Sequence, residues 1–297
     1  MKTYLRKKAC PHCQHAYDPV LKDCPKCGEA NPVFSRGYPF QWHVIDALPW
    51  QIGYFLFGLL GFQIMGLVIS LLVEVVYVIT NPGGTKEIAD FGKSVGVSFG
   101  ITAAAYCILL AVFILVLSLR KKMHVLAKSF CHWLPYVVGI CGGALLLGTS
   151  IIYSLFANWV MTSAGITASA NENESAIRAM TTAFPVLSIF VFGLIGPFCE
   201  EITYRVGLFG LASRFGKVLA YVISTVVFAF IHFSWQTLFS GDGNAILIEL
   251  INLPNYLIAG AGLAFLYDKC GFCASFVAHA VNNLVSVITQ IATGGNA

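Results

Sequence analysis

Charge is what this sequence has least of. Of its 297 residues, 11% are charged and 57% are hydrophobic. A soluble domain carries about 25% charged residues and about half apolar ones. The deficit excludes a soluble globular enzyme and a disordered chain. Disulfide-framework spacing is also missing. Of the ten cysteines, four cluster near the start and six are scattered through or beside apolar runs, which excludes a small secreted module. No cleavable signal peptide is legible, because the first long apolar run begins near Trp50 and is too long for an h-region. No internal repeat is visible, which weakens an inverted-repeat transporter. What is present is the composition of a polytopic membrane protein.

The little charge there is sits unevenly. Residues 1–43 hold Lys2, Arg6, Lys7, Lys8, Lys22, Lys26 and Arg36 against Asp18, Asp23 and Glu29, which accounts for the whole net charge of +4. The remaining body is neutral, and no nucleic-acid partner is expected. Within this polar head, Cys10-Pro-His-Cys13 and Cys24-Pro-Lys-Cys27-Gly28 form two CxxC knuckles. Each offers two thiolates from one tight turn, the pattern of a structural zinc site. Residues 1–30 therefore read as a zinc ribbon with Cys10, Cys13, Cys24 and Cys27 as metal ligands. So small a piece takes its folding energy from the metal. Thiolate ligation argues for a reducing compartment, hence a cytosolic amino terminus. Residues 31–49 read as a linker, with Phe40, Trp42, Trp50 and Tyr54 placed as an interfacial aromatic belt.

A spanning helix needs about 20 apolar residues. The expected fold is all-α, with seven transmembrane helices at 52–79, 96–119, 133–157, 185–208, 217–235, 246–268 and 271–293. Residues 50–157 form an amino-terminal group of helices, 158–184 a flexible connector, and 185–293 a candidate catalytic core. Arg120, Lys121, Lys122, Lys128, Arg214, Lys217 and Lys269 fall in alternate loops, which the positive-inside rule places in the cytosol.

Ionisable groups at membrane depth are costly, and here they cluster. One segment carries Glu200, Glu201 and Arg205, the next ends Phe228 to His232, and the last holds His279 and Asn283. Glu201 and Arg205 are four apart, so they share a face and can pair. Glu200 points about 100° away, with no local partner. A desolvated Glu suits general-base work. His279 and Asn283 also share a face, and Phe228 lies one turn below His232. The inventory suits hydrolysis, with Glu200 taking a proton from water, one His polarising or orienting that water, and the second His and Asn283 donating to an oxyanion.

Glu-Glu-x-x-x-Arg, Phe-x-x-x-His and His-x-x-x-Asn, in that order on successive apolar helices, resemble the CPBP family. That family groups type II CAAX prenyl endopeptidases with bacteriocin-processing and immunity (Abi) proteins. The resemblance covers roughly residues 185–290. It implies an intramembrane protease that cleaves near the cytosolic face, with catalytic roles on Glu200, His232, His279 and Asn283. Glu201, Arg205 and Phe228 read as supporting residues.

Depth sits awkwardly with that face, because His232 lies about 22 Å along its helix from Lys217. A zinc-dependent mechanism competes with a metal-free one. The metal-free account is preferred, because HExxH is absent and no carboxylate is evident to orient a His ligand. A catalytic metal is not expected. The substrate would be a prenylated tail, a peptide precursor or a membrane-protein segment, in a bacterial plasma membrane. The alternative is a non-catalytic membrane sensor or scaffold whose zinc ribbon recruits a cytosolic protein. Glu249, Asn252 and Asn255 share a face on the sixth segment and read as the outer end of a poorly inserted helix. Lining of a wet cavity is the other reading.

Overall fold

The computed structural model describes residues 8–10, 13–18, 21, 23–29, 45–81 and 88–294. Most of the linker, Phe40 and Trp42, and the head charges Lys2, Arg6, Lys7, Lys22 and Arg36 lie outside the described residues.

In the head, β1 (Lys8–Ala9) pairs antiparallel with β2 (Ala16–Tyr17), Lys8 opposite Tyr17. The two knuckles repeat one geometry. Gln14 N–H bonds Cys10 O, and Gly28 N–H bonds Cys24 O. Both donors have left-handed backbone, φ 56° at Gln14 and 73° at Gly28. Glycine takes this conformation freely and the glutamine does not.

The rest is helical. α1 (Leu48–Thr80), α3 (Val95–Leu119), α5 (Trp133–Ser163), α7 (Pro185–Ala212) and α10 (Gly243–Ala292) are each long and apolar enough to cross a membrane. The protein is an integral membrane protein. Shorter helices are α2 (Ile88–Gly92), α4 (Met123–Ser129), α6 (Glu172–Ala183), α8 (Lys217–Phe230) and α9 (Trp235–Leu238). α7 is the central helix, with 56% of its most apolar stretch buried against 6% for α1, which faces outward.

α10 is a hairpin. It has 50 residues but breaks at Gly271, where φ is 83° and ψ −178°. Ser275 Oγ lies 3.0 Å from Leu263 O, two residues that a continuous helix would hold about 18 Å apart. The halves 243–270 and 272–292 therefore run antiparallel, where the sequence indicates a sixth and a seventh segment. Small residues let α5 lie against the second half. A Cβ on Gly139 would fall 2.9 Å from Ala274 O, and one on Gly143 2.7 Å from Ala278 O. This is the close approach that glycine permits between membrane helices.

Two expectations are revised. Residues 172–183 of the expected connector are the helix α6. Asn171 caps it by accepting from Glu174 N at 3.1 Å, and Glu172 and Glu174 lie in its first turn, where the helix dipole favours acids. α8 ends at Phe230 rather than 235. His232 N bonds Ala229 O, a tighter turn, and Ser234 caps α9 by accepting from Thr237 N.

The basic loops share one end of the bundle. Arg120 bonds Asp46 at 2.9 Å, and Arg214 donates to Asp46 O at 2.6 Å and to the Gln51 side chain. Lys217 and Lys269 both pair with buried Asp268, at 2.7 and 3.2 Å. Burial would raise the Asp46 carboxyl, but Arg120, the Ala47 N–H and Tyr54 hold it below the ordinary carboxylate range. Tyr54, read as part of a belt, is instead buried with its hydroxyl 3.0 Å from Asp46.

Candidate active site

The site is built on α7. Two π-helical segments, Val191–Ile195 and Ile202–Phe209, flank the six residues Gly196–Glu201. Such bulges recur at functional sites.

Glu201 turns into the protein core. Its Oε2 lies 3.3 Å from Arg205 Nε, and both side chains are fully buried. Ser275 also donates to Oε2, and His279 Nδ1 lies 3.0 Å from Oε1. Arg205 extends the network to Ser224 at 2.7 Å and stacks its guanidinium 4.9 Å over Phe228. A carboxylate therefore does orient a histidine, contrary to the sequence reading. Glu201 and His279 lie 78 positions apart, and only packing brings them together.

Glu200, one residue earlier, faces a cavity of about 760 Å³. Its side chain is 17% exposed, and its Oε2 lies 3.7 Å from His279 Nε2. The tyrosine hydroxyl of Tyr106 on α3 donates to Oε1 at 2.9 Å. Glu200 lacks a partner on its own helix but has one across the bundle. Gly196 makes room for it: a Cβ there would sit 3.4 Å from the Tyr106 ring. Nothing local in the sequence marks Tyr106.

The same cavity is lined by His232, His279, Asn283 and Phe228. Phe228 packs between the histidines, with ring centroids 4.9 Å from His232 and 5.8 Å from His279. His232 Nδ1 lies 2.8 Å from Phe228 O, so it carries the proton and Nε2 is left as an acceptor. Asn283 spends one N–H on Phe192 O at 3.1 Å and keeps the other.

His232 is held from outside its own helix. Tyr256 stacks on it at 4.5 Å and 15°, Asn171 donates to its carbonyl at 3.1 Å, and the Tyr256 hydroxyl lies 3.2 Å from Asn171 Oδ1. Glu249 secures the same region. It is buried and accepts from Glu172 N at 2.8 Å and Ser234 N at 3.0 Å. It is not the end of a poorly inserted helix, because both oxygens are satisfied by backbone donors. Asn252 and Asn255 line the cavity.

Depth is measured along the helices that carry the site. Counted from the basic end, Glu200 lies about 18 Å along α7 from Ala212, and His232 about 22 Å from Lys217. Past the break at Gly271, His279 lies about 10 Å along the second half of α10 from Phe272, and Asn283 about 16 Å.

Two donor sets were candidates for metal. Among the described residues, the four head thiols form the one group of three or more ligand residues whose atoms lie within 4.8 Å of one another. Cys10 and Cys27 sulfurs are 3.6 Å apart, and those of Cys13 and Cys24 3.7 Å. Tetrahedral zinc with bonds of about 2.3 Å requires a sulfur separation of about 3.8 Å. The four cysteines could hold zinc. Within the cluster the Cys24 thiol comes down to about 7, burial opposing and the backbone N–H groups of Lys26 and Cys27 lowering it, while the Cys27 thiol, despite the Glu29 N–H, is pushed up to about 12 by burial and the neighbouring thiols. The membrane Glu and His atoms do not converge in this way.

Residues 182–285 match the family model described as type II CAAX prenyl endopeptidase Rce1-like. An uncharacterized protein of Mycoplasma capricolum subsp. capricolum is 27% identical over 256 residues, covering 82% of this chain and 69% of its own length. UPF0177 protein YvdC of Lactococcus lactis subsp. lactis is 26% identical over 124 residues, covering 40% of this chain and 46% of its own length. No solved structure matches the chain. The matched span contains Glu200, His232, His279 and Asn283, whereas Tyr106 and Asn171 lie outside it.

Proposed function

With residues 182–285 forming an Rce1-like CAAX prenyl endopeptidase domain, we propose that the protein is an intramembrane endopeptidase that hydrolyses a peptide bond with water activated by Glu200. The observation that carries the reading is the division of labour between adjacent carboxylates. Glu201 is consumed by Arg205, Ser275 and His279, while Glu200 keeps one oxygen toward the cavity.

The residues then have defined tasks. Tyr106 anchors Oε1 of Glu200, so Oε2 takes the proton of the attacking water. The acceptor Nε2 of His232 orients that water. The spare N–H of Asn283 donates to the oxyanion. His279 adds a second donor when its ring is protonated on both nitrogens. Glu201 and Arg205 fix the ring and the helix. Phe228 walls the site.

Seven membrane passes follow if the α10 hairpin and α8 are counted with the other four long helices. The membrane is a bacterial plasma membrane, both named relatives coming from bacteria, and the basic end with the amino terminus is cytosolic. One structural zinc is held by Cys10, Cys13, Cys24 and Cys27, on a head suited to recruiting a cytosolic protein.

The test compares new peptide termini in membranes from cells with wild-type protein, with Glu200→Gln, and without the protein. Cleavages confined to wild type support the peptidase and name its substrates. Identical termini in all three rule it out and leave the membrane scaffold with a zinc-bound recruiting head.

A further inference from the structure

The bundle has two chemically distinct ends, and the cavity belongs to one of them. At the first end are the loops carrying Arg120, Lys121, Lys122, Lys128, Arg214, Lys217 and Lys269, tied together through Asp46 and Asp268. The chain from the cysteine head enters here, where Ile45 packs with Val125, Leu126 and Tyr267. At the second end are the segments around residues 164–184 and 231–245 and the connection before α3, whose Phe99 stacks on Phe184. Their described residues carry Asp90, Glu172, Glu174 and Asp242 against Lys93 and Arg178, far fewer cations than the first end.

The cavity runs toward the second end. Along α5 its lining extends from Leu146 to Asn158, about 20 to 38 Å from Trp133 at the basic end. Its outer lining is Ser169, Asn171, Asn173 and Arg178 of the connecting segment, with Asn252 and Asn255 of α10. None of the basic-loop residues lines it. His232 hangs directly beneath this end, its carbonyl bonded to Asn171.

Basic loops stay in the cytosol, because Lys and Arg close to spanning segments resist translocation. A four-thiol metal site at the same end agrees with a reducing compartment. We propose that the cavity opens to the non-cytosolic side of the membrane. Its substrate is then an exported or membrane-anchored polypeptide whose scissile bond is reached from that side of the bilayer, and the carboxy-terminal tail of a cytosolic prenylated protein is not. The side assignment stands on charge and geometry, and the substrate assignment rests on the peptidase reading above.

The experiment uses full-length protein carrying Ser169→Cys, an exposed position at the cavity mouth. Exposed Cys131, between α4 and α5 at the basic end, is the internal reference. Intact spheroplasts are treated with a membrane-impermeant maleimide, and labelled peptides are quantified by mass spectrometry. The expected result is labelling at position 169 at least tenfold above Cys131, with Cys131 reached only after permeabilisation. The opposite pattern overturns the proposal. Asn158→Cys, also exposed on the cavity wall, gives the same readout should the first variant fail to insert. Labelling is repeated with Glu200→Gln. A pattern that holds while the termini assay shows no Glu200-dependent cleavage separates a correct side assignment from a failed peptidase reading.

Discussion

The two faces of α7 differ by one residue of rotation and by almost everything else. On the dry face, Glu201 is fully buried among Arg205, Ser275 and His279. On the wet face, Glu200 has one phenolic donor and open space beside it. A buried charge survives when its lone pairs and its countercharge are both supplied. A reactive carboxylate needs part of that supply withheld. The helix meets both requirements because adjacent residues point about 100° apart.

The largest expected effect sharpens this comparison directly. Glu200→Gln lowers the cleavage rate by roughly 10²–10⁴-fold and leaves the thermal midpoint in detergent nearly unchanged. Glu201→Gln does the reverse in kind. It strands Arg205 in the core and destabilises the protein by about 3–5 kcal/mol, read as a lowered midpoint before any assay of activity. If both variants keep the wild-type midpoint, the dry face is not what holds α7.

Gly143→Ala probes the same core from α5. The added Cβ meets Ala278 O at 2.7 Å, one residue before His279. The expected cost is about 1–3 kcal/mol, with activity falling alongside stability. Tyr106→Phe acts on the wet face alone. Removing one hydrogen bond to a charged group costs about 1.5 kcal/mol, so kcat falls roughly tenfold while the midpoint stays within a degree or two. A variant with full activity would show that Glu200 needs no anchor.

The smallest effect lies away from α7. Asp46 is held below its ordinary range by Arg120, so its tie to the basic loops is present above about pH 4 and lost as pH falls through the depressed value. Midpoints measured between pH 3 and 6 should therefore decline toward acid, and Asp46→Asn should flatten that decline.

Much of this was legible from residue order. The Glu201–Arg205 pair follows from spacing of four on a helix, and the knuckles follow from two CxxC pairs. The cap of α6 was also there to be read, since Asn171 stands three residues before Glu174, a capping signature, but the small polar composition suggested a flexible connector. Glu249 was misread because an acid near a helix start looks like solvent exposure. Its partners are backbone N–H groups of two other segments, which no side-chain pattern announces.

Sequence by itself determined the membrane class, the basic end, the four thiols and which residue types could carry hydrolysis. Those properties depend on composition and on local period. Tertiary structure decided the rest. It brought Tyr106 to Glu200 across 94 positions and Glu201 to His279 across 78, folded α10 back on itself at Gly271, and set the cavity under the end opposite the basic loops. Each of these is a meeting of surfaces from separate helices. Helical periodicity says which way a residue points but not what it will meet there.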